Sequence, residues 1–401
     1  VPVPEGKQIL VCWEIGGGLG HWYRILPLAT RLRAHGFQVT VASRDPAGAA
    51  ALLGPLGIPA AAAPGPPPLP GRQPLSLNYA QNLRRNGHGD LPWLKASLAG
   101  WLELFAAIRP HLVLAEHAPT ALLAAQAARL PRVAVGTGFS LPPLASPMPS
   151  LHPWLSIPGQ ALAGAERQWL DGVNPALAPH GVKLESAADL FRGARTCLCA
   201  FPEFDHYGAR AGGAHLGPVL HGPASGTVSW PGSRGGCFVY LGAGHPALAR
   251  ILETLERLRV PTLAHVRGPG DHPAARTSRH VRISAQPADL AAVARNCAFA
   301  ITHAGANTAC RLLLEGVPLL LAPVALEQTV LAYRLQAQGL ARMMNPFDPR
   351  PAWEQAIAGL AEAGTLARSA QAFQRRHAAF DRQAPAAAVL RACREPEACP
   401  C

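Results

Sequence analysis

The chain has 401 residues, about half of them apolar and only 15% charged, with 41 prolines, 39 glycines and a formal net charge of +12. That length allows two or three domains at roughly 150 residues each, and the composition is that of an ordered globular chain rich in turns, not a disordered one. Lysine occurs only at Lys7, Lys95 and Lys183, so the positive charge is scattered arginine with no recognition helix or stacking-aromatic motif beside it; this excludes a nucleic-acid binder and leaves room for a peripheral contact with an anionic membrane.

Nine cysteines, among them Cys197, Cys199, Cys399 and Cys401, lack zinc-ligand spacing and read as reduced thiols. Residues 1–11 lack a basic segment followed by an apolar core, and no apolar stretch approaches the roughly 18 residues of a membrane span. A soluble, cytoplasmic protein is the expectation.

In chain order, Gln8 to Trp13 is an apolar run that reads as a strand, and Trp22 to Arg33 places Leu26, Leu28, Ala29 and Leu32 at helical spacing. Gly36-Phe37 closes that helix and Phe37 to Ala42 follows as a strand, a unit that implies a parallel sheet. His111 to Ala115, Arg132 to Val135 and Ala194 to Ala200 continue the strand pattern, with a helix over about Pro119 to Arg129. The Pro-rich segments Pro64 to Pro74 and Gly138 to Pro158 exceed simple connections and read either as binding loops or as surface coverings. The latter holds Phe139, Met148 and Trp154, which with Tyr79 suit an aromatic or lipid-like ligand or ordinary loop packing.

Gly222 to Gly236 is a linker by composition. A second strand, turn and helix come next: Cys237 to Leu241, Gly242-Ala243-Gly244-His245, and Leu248 to Leu258. Ala298 to Ile301 reads as a buried strand, and His303-Ala304-Gly305-Ala306-Asn307-Thr308 then opens a Leu-rich helix. Small residues there let backbone N–H groups approach an anion, and the helix dipole favours it, so this turn is a phosphate cradle in which His303, Asn307 and Thr308 add donors. His303 also fits as a capping residue at a buried strand end.

Gln286, the His303 turn, Glu315-Gly316-Val317-Pro318, Pro323 and Glu327-Gln328 occur in an order and spacing that resembles the donor-binding signature of the UDP-glycosyltransferases, which include plant flavonoid and bacterial macrolide glycosyltransferases. The resemblance implies an α/β chain of the GT-B fold, with two Rossmann-like domains whose parallel sheets face a central cleft. It implies an acceptor-binding domain over 1–222, a linker over 223–236, a nucleotide-sugar-binding domain over 237–364, and a helical segment over 365–401 that can return to the first domain. The donor contacts it implies are Gly20, Gly244, His245, Gln286, His303, Gly305, Asn307, Thr308, Arg311, Glu327 and Gln328. Glu327 and Gln328 alternatively serve only their helix N-terminus.

Three positions depart from the family. Ile283 stands where plant members stack an aromatic on the base, Arg311 where an acid usually meets the ribose, and His245 where a small hydroxyl residue often faces phosphate. Arg311 cannot accept hydroxyl hydrogen bonds and suits a phosphate or an acidic sugar, with Glu315 one turn later as a substitute.

The loop Glu14-Ile15-Gly16-Gly17-Gly18-Leu19-Gly20-His21 resembles the family's Gly-His loop and implies that His21 is the general base. The alternative is a phosphate-binding or capping histidine. Glu116, where the family usually has Asp, would orient His21; His117 is the rival partner, and a solvated strand-end charge the plain alternative. The activity implied is inverting, metal-independent transfer, with no metal and no cofactor beyond a nucleoside-diphosphate sugar co-substrate, of UDP or dTDP type by default, and a small-molecule or lipid-like acceptor. A sugar-nucleotide epimerase of the same fold and a catalytically silent partner subunit are the competing expectations.

Overall fold

The computed structural model describes residues 6–65, 76–208, 210, 215–220, 230, 235–268, 279–284, 288–349, 352–362 and 364–395. Gln286, residues 66–75, most of the 223–236 segment, Cys399 and Cys401 lie outside the described residues. The chain forms two compact units, Val1–His221 with Arg382–Cys401, and Gly222–Asp381.

The first unit runs β1 (Gln8–Trp13), α1 (Leu19–Ala34), β2 (Gln38–Ser43), α2 (Pro46–Leu53), β3 (Ala60–Ala62), α3 (Tyr79–Leu83), α4 (Leu91–Ile108), β4 (Leu112–Glu116), α5 (Pro119–Ala127), β5 (Arg132–Gly136), α6 (Gly159–Leu177) and β6 (Ala194–Leu198). Its strands form one sheet in the order β3-β2-β1-β4-β5-β6, every pair parallel. Helices cover both faces of such a sheet, which is why Ile9–Trp13 of β1 and Leu112–Ala115 of β4 are continuously apolar and do not alternate. Ile9, Leu10, Val11, Cys12 and Trp13 are all buried. α1 lays Trp22, Ile25, Ala29 and Leu32 into that core at three- and four-residue steps, each large side chain contributing roughly 1.5–3 kcal/mol by its burial.

The second unit runs β7 (Gly236–Gly242), α7 (Leu248–Arg257), β8 (Thr262–Arg267), β9 (Val281–Ser284), α8 (Leu290–Ala294), β10 (Cys297–Thr302), α9 (Ala306–Leu314), β11 (Leu319–Leu321), α10 (Leu326–Ala337), β12 (Ala341–Met343), α11 (Trp353–Glu362) and α12 (Gly364–Arg376). Its strands are again all parallel, in the order β12-β11-β10-β7-β8-β9. The C-terminal helical stretch is two helices, not one. α12 packs on α9 within the second unit, while α13 (Ala384–Arg394) packs on α1 in the first. Pro385 stands in the first turn of α13, a position that proline suits because its missing N–H has no intrahelical partner there.

The 138–158 segment packs part of its length into the first unit, while Leu144 and Leu155 stay exposed. Phe139, Ser140, Leu141, Met148, Leu151 and His152 are buried, and the Glu166 carboxylate on α6 accepts from Ser146 Oγ at 2.8 Å and from the Met148 amide at 2.7 Å. No helix among the described residues is long and apolar enough to cross a membrane.

Candidate active site

Both sheets are wound outward from a central first strand, so each has one place where the connection reverses direction. In the first unit this lies between β1 and β4, and in the second between β7 and β10. Ligands of open α/β sheets bind beyond the strand carboxyl ends at such a switch point. The loop carrying His21 leaves β1, Glu116 ends β4, the Gly244 turn leaves β7, and the His303 turn leaves β10.

In the first unit, register pairs Trp13 with Glu116 across β1 and β4. His21 lies in the first turn of α1, and its Nδ1–H donates to Glu116 Oε2 at 2.7 Å. Its ring stacks on Trp13, centroids 4.7 Å apart and planes at 22°. That bond fixes the tautomer, leaving the Nε2 lone pair for an external proton. Nε2 sits over Gly16, whose φ is +92° and where an added Cβ would fall 2.4 Å from Nε2; no other residue fits there. Gly20, in the first turn of α1, is exposed.

Arg24, one helical turn after His21, donates from Nη1 to Glu116 Oε1. The Glu116 side chain is 1% exposed, and that of His21 13%. Burial by itself pushes the Glu116 carboxyl up, but the pull of His21 and Arg24 outweighs it and lowers the group from 4.5 to about 2. Glu116 is therefore an ionised carboxylate shared by a histidine and an arginine. Sequence reasoning missed Arg24, and the three-residue spacing from His21 on a helix was the signal that could have found it.

A second carboxylate belongs to the same loop. Glu14 Oε2 accepts from the Thr120 and Ala121 amides at 2.9 and 3.2 Å, at the start of α5. Behind it, Trp169 Nε1 donates to His88 Nδ1 at 3.2 Å, so His88 Nε2–H donates to Thr120 Oγ1 at 3.0 Å. Burial pushes Glu14 up to about 8, against the pull of these donors and of Arg44.

In the second unit, Gly305 is the N-cap of α9 and makes no side-chain cap, and Ala304 before it has φ +65°. Asn307 and Thr308 stand in the first turn of the helix, Arg311 in its last, and Glu315 at its C-cap. His303 Nδ1 is buried with no hydrogen-bond partner among the described residues, and burial lowers the ring to about 4. A neutral imidazole at an uncapped helix N-terminus is suited to an anion. His245 is differently placed: Nε2–H donates to Ala322 O at 2.9 Å and Nδ1 accepts from the Ala247 amide at 3.2 Å, so both ring nitrogens are taken up internally. Gly244 beside it is exposed. Gln328 Oε1 accepts from the Val324 and Ala325 amides at 2.9 and 3.2 Å, capping α10. Glu327 is half-buried in that helix's first turn, and Ile283 is half-buried against the core.

No protein-family model matches the chain, and no curated protein matches it. Solved structures do. The glycosyltransferase VinC in complex with dTDP is 18% identical, the match covering 97% of this chain and 100% of that one with a TM-score of 0.68. The glycosyltransferase SsfS6 of Streptomyces sp. SF2575, complexed with thymidine diphosphate, is 21% identical over 97% of this chain and 99% of that one, TM-score 0.66. The spinosyn rhamnosyltransferase SpnG, complexed with spinosyn aglycone, is 20% identical over 95% of this chain and 98% of that one, TM-score 0.60. The likeness runs the length of the chain, and its fold is the GT-B fold of these glycosyltransferases.

Proposed function

We propose that this protein is an inverting, metal-independent glycosyltransferase that moves a sugar from a nucleoside-diphosphate sugar to a hydroxyl of a small-molecule acceptor. The observation that carries the reading is the 2.7 Å contact of His21 with a buried, ionised Glu116 at the switch point of the first sheet. His21 Nε2 takes the acceptor proton as the oxygen forms its bond to the anomeric carbon from the face opposite the leaving group. The bond from that carbon to the diphosphate breaks, and its electron pair leaves with the nucleoside diphosphate. Glu116 stabilises the imidazolium, and a general base so held contributes about 10²–10⁴-fold in rate.

Charge growing on the diphosphate is met by the N-terminus of α9 with Asn307, Thr308 and His303, donors of a kind that are each worth about 10²–10³-fold when placed at a developing anion. The helix terminus supplies the positive potential this chemistry requires. The dTDP and thymidine diphosphate carried by VinC and SsfS6 support a thymidine- or uridine-type donor, and the aglycone carried by SpnG supports a small-molecule acceptor.

Thermal melting in UDP, dTDP, GDP and CDP tests the donor half. A nucleotide at 100 times its Kd stabilises by about 2.7 kcal/mol, and we expect a selective shift with dTDP or UDP that His303→Ala abolishes. Transfer from the selected nucleotide sugar is then expected to need His21. No shift with any nucleotide, or turnover unchanged in His21→Ala, rejects the reading. Conversion of the nucleotide sugar to its epimer without an acceptor would identify an epimerase instead.

A further inference from the structure

Glu14 is the carboxyl at the first switch point that the proposed chemistry leaves unused. It directly follows β1 and is wholly buried, and its partners lie at the start of α5. That helix begins without a cap of its own: Ala118 at its N-cap makes no side-chain hydrogen bond, and Pro119 has no N–H to offer. The first N–H groups of a helix have no intrahelical acceptor, so the Thr120 and Ala121 amides need one from elsewhere. Glu14 Oε2 takes both, at 2.9 and 3.2 Å. A second layer fixes the direction of these bonds. Burial lowers His88 to about 3, so its ring is neutral and carries one proton. Trp169 Nε1–H can only donate, so its 3.2 Å bond takes the His88 Nδ1 lone pair, and His88 Nε2–H donates to Thr120 Oγ1. The Thr120 hydroxyl hydrogen is left for Glu14: burial pushes the carboxyl up, and the Thr120 hydroxyl and the two amides pull against it.

This clamp joins the two arms of the catalytic pair. On one side, Glu116 ends β4 and leads through His117 and Ala118 into α5. On the other, Ile15 follows Glu14: its amide donates to His117 O at 3.0 Å, and its carbonyl accepts from Trp13 Nε1 at 2.9 Å. The Trp13 ring is the one on which His21 stacks. Removing the Glu14 carboxyl therefore loosens the start of α5 from the loop beneath His21, and the 2.7 Å His21–Glu116 bond spans that same junction.

We propose that Glu14 is a positioning residue for the catalytic pair: by binding the Thr120 and Ala121 amides it holds the loop that carries His21 against the strand end that carries Glu116. The inference rests on the reading of His21 as the general base. Glu14 touches neither substrate nor the reacting atoms in this role and acts through the His21–Glu116 bond, so its effect on rate depends on that bond being present.

The test uses the full chain. Glu14→Ala is expected to lower kcat by about ten- to a hundredfold, with KM for the nucleotide sugar and the melting shift in dTDP little changed. Glutamine keeps an acceptor oxygen at the same reach, so Glu14→Gln should restore most of that rate. Glu14→Asp, one methylene too short, replaces the alanine variant if that one does not fold. In the Glu116→Gln background, where the pair is already broken, Glu14→Ala should lower kcat by less than about threefold more, while its cost in urea midpoint persists. A residue that only stabilised the fold would slow both backgrounds alike. Nitrogen NMR of protein with isotope-labelled histidine, His21 being assigned from its loss in His21→Ala, reads the pair directly. His21 is expected protonated at Nδ1 in wild type and Glu14→Gln, and as a mixture of tautomers in Glu14→Ala. A single Nδ1–H tautomer in Glu14→Ala, or a rate loss undiminished in the Glu116→Gln background, overturns the proposal. A mixture in Glu14→Ala, with sugar transfer unaffected by His21→Ala, upholds the clamp and rejects the transferase reading.

Discussion

Replacing Glu116 by Gln separates what this carboxylate does for the fold from what it does for catalysis. Its native pKa of about 2 lies below the ordinary 4.5. The unfolded chain therefore binds more protons between those values, and the stabilisation is fully present above pH 4.5 and lost as pH falls through about 2. At about 1.4 kcal/mol per unit, the linkage amounts to about 3 kcal/mol at neutral pH. Glu116→Gln removes this and leaves the Arg24 guanidinium, itself buried, without its anion; breaking one partner of such a pair costs about 3–5 kcal/mol. Arg24→Met in the Glu116→Gln background removes the stranded charge and should recover at least half of the loss. Urea unfolding at neutral pH reads this out, because Trp13, Trp22, Trp101 and Trp169 are buried in the first unit. Catalysis is expected not to follow stability: neither the single nor the double variant has a carboxylate for His21 Nδ1–H, so kcat stays about 10²–10⁴-fold down in both. A loss below about 1 kcal/mol in Glu116→Gln, additive effects in the cycle, or a rate that recovers together with stability would refute the reasoning.

Gly16→Ala is expected to lower kcat by at least about tenfold while changing nucleotide melting shifts little, since the added Cβ meets His21 Nε2 at 2.4 Å and the φ of +92° is unfavourable for alanine; a wild-type rate would show that Nε2 is not held over Gly16. Glu14, pushed from 4.5 up to about 8, has the opposite pH sign to Glu116. The native state holds the extra proton, so its contribution is fully present below pH 4.5 and declines as pH rises towards 8, by up to about 5 kcal/mol at about 1.4 per unit. Urea midpoints measured across that range should fall in wild type more steeply than in Glu14→Gln, and parallel slopes would mean that Glu14 is ionised throughout.

The strands and helices at the switch points were legible because each is long and apolar in a single pattern. β1 was read at its observed bounds, and β4, β5, β7 and α7 to within a residue or two of theirs. The Gly-His loop and the His303 turn were legible because glycines and small residues between a strand and a helix have few other uses. Side-chain partnerships were less so. Glu116 and His117 were rivals for His21 in the sequence, and what separates them is backbone geometry: Glu116 is the last residue of β4 and is paired with Trp13, while His117 turns into a left-handed conformation. Arg24 was hidden because a buried arginine on an otherwise apolar helix face looks like a surface charge until its carboxylate is known. α4 and α6 were not anticipated. Their sequences are rich in Ala, Gly and Leu, α4 begins with Leu-Pro and α6 follows Pro158 with Gly159, so proline and glycine signals obscured the period; α4 is fixed by the Asp90 carboxylate accepting from the Trp93 amide at 3.0 Å.

The two sheets share a winding and differ in the residues set at their switch points, and the proposed function assigns the chemistry to that difference. A switch point gathers the ends of two parallel strands and the start of a helix, which suits an anion if the helix terminus is left uncapped. The second unit leaves α9 without a side-chain cap behind Gly305 and sets neutral His303 beside it. The first unit places an ionised carboxylate, Glu116, at the end of β4, where β10 ends in Thr302, and pairs it with Arg24 and His21. A buried carboxylate disfavours a phosphate and favours a cation, and the cation it favours here is the imidazolium that forms when His21 takes a proton. In the proposed function, one fold yields an anion site beyond β10 and a base site at the end of β4, where Glu116 stands in the place that Thr302 takes at the end of β10.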